Sequence, residues 1–348
     1  MEIVTKNTIL SEAVEYLDLE KIKTVRDLVF AFQRTSIQSR NLGKSLKIYE
    51  RMLSDPKRPT IFMGLAGPMV PGGMRKVIRD MIEYGLIDVL VSTGANLYQD
   101  FYVARGFKHY IGSPNMDDLL LRQYFIDRIY DTLVDEEKFR ETDAAIAEIA
   151  GGLDKKEYSS REFFSILGKN INDKNSILYT AAKRNVPVFC PALNDSSIGI
   201  GLTKHYVDKK NKIIINPIRD NYELAQIKMK SRSAGVIYIG GGTPKNYIQQ
   251  MEVISEILGA GENGYRYAIQ ITTDTPQWGG LSGCTFEEAQ SWGKIHREAD
   301  KIQITIESTV GMPLLVGAVL QGDSYKKRKR LSMKWNEDKL ETINLKKR

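Results

Sequence analysis

A lysine that forms imines must be partly deprotonated near neutral pH. Burial against an apolar ring achieves this, because it disfavours the charged form. The run Ser291-Trp292-Gly293-Lys294 offers such a pairing. Periodicity predicts a helix over Thr285–His296, with Lys294 late in it and Trp292 as the wall. Taken alone, such a lysine is more ordinarily a solvated helix residue, and spacing does not promote it. Other candidates are dispersed. Asp195, Glu287, Glu288 and Glu307 fall at expected strand ends or a helix start. Carboxylates there can hold a cationic substrate or cap a helix, and capping is the favoured reading for Glu287. His109, His205 and His296 lack the spacing of metal ligands, so no metal is expected. No serine stands in a GxSxG elbow, which leaves a hydrolase triad without support.

The elements that must position these residues alternate. The periodicity predicts helices over Ile22–Gln33 and Ile37–Leu53, then a short apolar run, Thr60–Gly64, ending in glycine. An amphipathic helix, Met74–Tyr84, leads to a buried strand, Ile87–Gly94, and another helix starts near Ala95. Met116–Asn172 is charged and helix-rich, an excursion from the sheet. The alternation resumes with Ser176–Asn185 (helix), Val186–Cys190 (strand), Lys212–Asn216 (a further strand candidate) and Tyr222–Arg232 (helix). It continues through strand Gly235–Ile239, helix Pro244–Leu258, strand Tyr267–Thr272, strand Ile302–Ile306 and helix Pro313–Leu320. Strand–helix alternation predicts an α/β fold, a doubly wound, mostly parallel Rossmann-like sheet with an N-terminal helical extension. Several strands end in small or polar residues, Ile239-Gly240-Gly241-Gly242 above all. In such sheets ligands bind beyond the carboxyl ends of the strands, and a glycine turn into a helix can face a phosphate. A strict GxGxxG is absent, and a glycine triplet also serves as a plain tight turn.

The chain has 348 residues, enough for one large α/β unit or two coupled ones at about 150 residues each. The expected division is a helical segment over 1–55, a nucleotide-binding catalytic unit over 56–322 and a basic tail over 323–348. The net charge of +7 is concentrated at that end, in Lys326 to Arg330 and Lys346-Lys347-Arg348. The rest is near neutral and shows no aromatic-basic interleaving, so no nucleic-acid partner is expected. Two cysteines supply neither a disulfide framework nor a CxxC motif, which fits a reduced, cytoplasmic setting. No apolar run reaches the roughly 18 residues of a spanning helix, and Met1–Glu20 does not read as a signal peptide.

Glu288-Ala289-Gln290-Ser291-Trp292-Gly293-Lys294-Ile295 resembles the active-site signature of the deoxyhypusine synthase family. Thr60–Arg75, Asp88–Asp100, Pro187–Gly199, Ile237–Asn246 and Pro313–Val316 fall where that family has similar segments, and the resemblance runs from about Ser39 to Leu320. It implies an NAD-dependent alkyl transferase that moves the butylamine part of spermidine, through a lysine imine, to an acceptor amine. It also implies a homotetramer with active sites between subunits. By position, Lys294 would carry the imine and Trp292 would wall the amine channel. Glu288 would hold a substrate ammonium, with Lys245 and Asn246 in the same amine pocket. Thr93, Asp195, Gly241, Gly242, Thr273, Ser282 and Glu307 fall at NAD-contacting positions.

The departures from the family matter as much. Asn246 stands where eukaryotic members have a proton-handling histidine. Ile200 and Leu281 replace substrate-binding aspartates, Gln99 replaces an acid beside the retained Asp100, and Trp278 replaces a cofactor-side aspartate. An ammonium unpaired in a dry channel costs several kcal/mol, so fewer carboxylates argue for a changed amine. Thr273–Cys284 resembles the loop of prokaryotic deoxyhypusine synthase-like proteins. A free diamine such as putrescine, giving a homospermidine-type product, then competes with a protein lysine as acceptor. The alternatives are a non-catalytic polyamine or NAD binder and a pyridoxal-phosphate enzyme.

Overall fold

A computed structural model describes residues 5–208, 213–261 and 263–346. Six strands carry the core: β1 Thr60–Leu65, β2 Val89–Ser92, β3 Val188–Phe189, β4 Ala234–Ile239, β5 Tyr265–Thr272 and β6 Ile295–Thr305. All five pairings are parallel, in the order β6-β5-β4-β1-β2-β3. This is the order of a doubly wound dinucleotide-binding sheet, with its topological switch between β1 and β4.

Period-2 alternation assigns each strand residue to a face. Ile61, Met63, Leu65, Leu90, Ile237 and Ile239 enter one apolar cluster, and Phe62, Val89, Val91, Val236 and Tyr238 enter the other. The first cluster is covered by α1 Ile37–Ser54, α2 Arg75–Glu83, α3 Gly94–Ala104, α4 Ile177–Arg184 and, after β6, α8 Ser308–Leu320. The second is covered by α5 Pro217–Lys230, α6 Gly242–Ile257 and α7 Phe286–Ser291. Strands buried on both faces read as near-continuous apolar runs, which is why they were visible in the sequence.

Three segments differ from expectation. The excursion after α3 contains a small antiparallel sheet, Tyr110–Ile111, Ile126–Ile129 and Thr132–Asp135, as well as helices. Its hairpin turns through Tyr130 at φ 57°, without the glycine or asparagine that marks such turns. The helix expected over Thr285–His296 ends at Ser291, and the following residues lead directly into β6. The basic stretch after 322 is no loose tail. β7 Arg330–Asn336 and β8 Lys339–Lys346 pair antiparallel, and Leu340 is buried in the second cluster. Arg328, 6% exposed, donates to both carboxylate oxygens of Asp88, which also takes a bidentate pair from Arg58. Arg161 lies 4.1 Å from the Trp335 ring centroid. Alternating Leu331, Met333 and Trp335 carry this hairpin behind the charge run. Lys212, Lys347 and Arg348, named above, lie outside the described residues.

Candidate active site

Gly293 at φ +69° ends α7. The Gly293 N–H donates to Gln290 O at 3.0 Å and the Lys294 N–H to Ala289 O at 3.1 Å, a helix stop of the Schellman type. The chain turns there, so Lys294 leaves the helix rather than continuing it. Its carbonyl accepts from the Tyr265 N–H at 3.1 Å, which fixes its backbone at the start of β5. The Lys294 ammonium lies 5.2 Å from the Trp292 ring centroid. Burial lowers its pKa below the ordinary lysine range, and the nearby Cys284 thiol and Glu288 carboxylate oppose that shift. Glu288 sits in the first turn of α7, where its N–H is capped by Thr285 Oγ1 at 3.0 Å. Lys294, Trp292 and Glu288 are therefore brought together, half-open to solvent. Cys284, considered in the sequence only as a free cysteine, belongs with them. Burial pushes its thiol up, Lys245 opposes this, and Glu288 reinforces it.

Most of the candidate cofactor residues gather at the carboxyl edge of the sheet. Thr93 follows β2, Asp195 lies in the loop after β3, Gly241 and Gly242 follow β4, Thr273 follows β5 and Glu307 follows β6. Asn96 ties two of these strand exits together, donating to Gly67 O at 2.8 Å and Thr93 Oγ1 at 3.1 Å. Gly67 and Gly242 adopt positive φ, and a side chain at Gly242 would meet open space. Asp195 and Glu307 are exposed, the latter also capping α8 through the Thr309 N–H. A cleft of about 600 Å³ opens at this edge, lined by Pro68, Gly72, Gly73, Tyr130, Glu307 and Thr309. Small residues and a helix N-terminus at the switch point could approach a pyrophosphate, and the exposed carboxylates Asp195 and Glu307, after the two outer strands β3 and β6, could hold ribose hydroxyls. Among the described residues no cluster of His, Cys, Asp and Glu could hold a metal, and no helix is long and apolar enough to cross a membrane.

Lys245, expected in the amine pocket, and Ser282, expected at a cofactor position, are both engaged by protein atoms. Lys245 is 1% exposed, with its ammonium committed to three protein oxygens. A cation saturated with acceptors is no ligand for a second cation, and these three contacts give Lys245 a structural role. Ser282 is turned inward, accepting the Gly242 N–H on Oγ at 2.7 Å. Asn246 is half-buried in the first turns of α6. Of the replaced positions, Gln99 bonds His109 at 3.0 Å, Ile200 and Leu281 are exposed, and Trp278 is 80% exposed. Asp100 accepts from Arg75 Nε, Ser176 Oγ and two backbone N–H groups of α4, a buried structural role.

The family model for deoxyhypusine synthase matches residues 27–319. The probable deoxyhypusine synthase 2 of Methanosarcina acetivorans is 47% identical over 305 residues, covering 86% of this chain and 87% of that protein. The deoxyhypusine synthase-like protein of Chlorobaculum tepidum is 41% identical over 315 residues, covering 88% and 89%. A crystal structure from Entamoeba histolytica that carries the deoxyhypusine synthase name superposes with a TM-score of 0.64 at 20% identity, covering 94% of this chain and 100% of that one, a likeness of fold. The signature around Lys294 and the match across most of the chain lead to one conclusion: the chain belongs to the deoxyhypusine synthase family of transferases.

Proposed function

We propose that the chain moves the aminobutyl part of spermidine to an acceptor amine, in an NAD-dependent reaction, through an imine on Lys294. The observation that carries this reading is Lys294 itself, stacked on Trp292, held below the ordinary lysine range by burial and facing Glu288. Bound NAD would supply the hydride acceptor and, later, the hydride donor. Asp195 and Glu307 at the carboxyl edge, with Thr93, Gly241, Gly242 and Thr273, are the residues suited to hold it. The free amine of Lys294 attacks the imine carbon of the oxidised polyamine. The Lys294 Nζ–carbon bond forms, the carbon–nitrogen bond to the aminopropyl part breaks, and diaminopropane leaves with the proton. Glu288 holds the distal ammonium of the retained group, and Trp292 limits access of water. Attack by the acceptor amine then frees Lys294. By the family pattern Asn246 would neighbour this pocket, in place of an ionisable histidine.

A small amine is the preferred acceptor, because the exposed Ile200 and Leu281 stand where the family pattern has substrate-binding carboxylates. Exposed Trp278, Ile111, Leu119 and Tyr124 are suited to subunit contacts, in keeping with a homotetramer. A cytoplasmic setting and the absence of nucleic-acid and membrane partners are part of the same reading. The test is incubation with NAD and spermidine plus either putrescine or the hypusine-bearing translation factor. Homospermidine in the first mixture is expected. Modification in the second alone would reassign the acceptor, and product in neither would refute the transfer.

A further inference from the structure

Two buried side chains and a half-buried one, from three elements, converge on two carbonyls of the glycine-rich loop 273–285. Lys245 of α6 donates to Gln270 Oε1 at 2.8 Å, Ser282 O at 3.2 Å and Cys284 O at 2.5 Å. Gln270 of β5 donates to Ser282 O and to Gly240 O, both at 2.8 Å. Gln303 of β6 donates to Gln270 Oε1 at 2.8 Å and to Cys284 O at 3.2 Å. Three ammonium protons meet three oxygens, so Lys245 is fully satisfied without a carboxylate in contact. Burying a cation against carbonyls alone is an expensive way to hold a fold. What it specifies is position. The Gly242 N–H also grips Ser282 Oγ, and a Cβ on Gly241 would come within 2.5 Å of the Ser282 backbone. By contrast, Gly279 and Gly280 at the loop tip meet nothing within 4 Å, and Trp278 is exposed.

We propose that Lys245, with Gln270 and Gln303, is the positioning residue that locks residues 282–285 between the glycine turn and α7, so that Lys294 captures the imine carbon of the oxidised polyamine before water does. The proposal rests on the transfer reading above. The clamped residues lead straight into α7. Its Phe286 ring lies 5.8 Å from the Lys245 ammonium, and its end carries Lys294 through the Lys294 N–H bond to Ala289 O. Cys284 is within electrostatic reach of Lys294 and Glu288. Burial pushes the Lys245 ammonium down to about 8, opposed by Cys284, Glu288 and Asp274, in agreement with a dry clamp. A loosened clamp leaves Lys294 chemically intact and misplaced. Uncaptured imine is then hydrolysed, consuming water and releasing the aldehyde of the aminobutyl group.

The experiment compares the wild type with Lys245→Met, which keeps the stem and removes the donors, and with Gln303→Leu. Three quantities are measured: diaminopropane released per aminobutyl group transferred, borohydride-trapped adduct on Lys294, and protease cleavage in 273–285 without ligand. The expected wild-type ratio is near one. Lys245→Met is expected to raise the ratio several-fold, to lower kcat for transfer more than it changes KM for spermidine, and to expose the loop. Gln303→Leu is expected to do the same more weakly, and it carries the test if Lys245→Met does not fold. Active wild type with unchanged ratio, adduct and cleavage in a folded variant overturns the clamp alone. A wild type that neither cleaves spermidine nor forms adduct overturns the transfer reading, and the clamp with it.

Discussion

Lys294 combines a ring beneath it, partial burial and a nearby carboxylate, whereas Lys228, which also lies by a ring and a carboxylate, is buried and ion-paired to Glu252. None of these features of Lys294 was legible from periodicity, which placed it on the flank of a helix. The family signature singled it out, and the structure supplies the reason in Gly293. Lys245 shows the converse. The family pattern suggested a substrate contact, and only side-chain packing reveals three protein acceptors. Cys284 carried no local signal at all, since its neighbours come from a loop and from α7. A pH prediction belongs to this scale. The free amine of Lys294 is the reactive form, and its pKa is lowered by burial. Adduct formation should therefore rise with pH and reach its midpoint below the roughly 10.4 of a free lysine. Stopped-flow or quenched trapping across pH measures this, and a midpoint at or above that value would remove the role of burial.

At the scale of elements, the continuous apolar runs made β1, β2, β4 and β5 visible, with the helices between them. Strand order was not visible, because it is set by pairing across the sheet. The short hairpin through Tyr130 lacked turn residues, and the end of α7 was hidden because glycine inside a helical pattern is tolerated. The α7 stop yields a sharp expectation. Gly293→Ala places a Cβ at φ +69°, where the nearest atom, Glu256 Oε1, is 3.7 Å away, so the penalty is backbone strain of about 1 kcal/mol rather than a clash. Stability by thermal denaturation should fall by that small amount, while adduct formation falls about tenfold or more as Lys294 is mis-aimed. Gly293→Asn, which tolerates this backbone, should recover most of it. Equal, small losses in stability and adduct formation would mean that the turn does not aim the lysine.

At the scale of the molecule, charge hid structure. The run Lys326 to Arg330 looked like a solvated tail, yet Arg328 and Arg58 close on Asp88 beneath the amino ends of β1 and β2. The two guanidinium groups hold the Asp88 carboxyl well below the usual carboxylate range, against the opposing effect of burial. A depressed folded-state value means stability that is fully present above the unfolded carboxylate's pKa, about 4, and is lost as pH falls below it. Asp88→Asn should therefore cost about 3–5 kcal/mol at neutral pH by leaving two buried cations poorly paired. Chemical denaturation should show the gap between variant and wild type closing only below about pH 4. A gap that closes already between pH 7 and 5 would exclude this ion triad as the cause.

The central claim, covalent transfer through one lysine, has a direct measurement. The protein is incubated with NAD and spermidine, reduced with borohydride, digested and mapped by mass spectrometry. The account predicts an aminobutyl adduct on the peptide bearing Lys294, dependent on both compounds and absent in Lys294→Arg. Release of diaminopropane with no adduct on Lys294, or an adduct on another lysine that persists in Lys294→Arg, would contradict it.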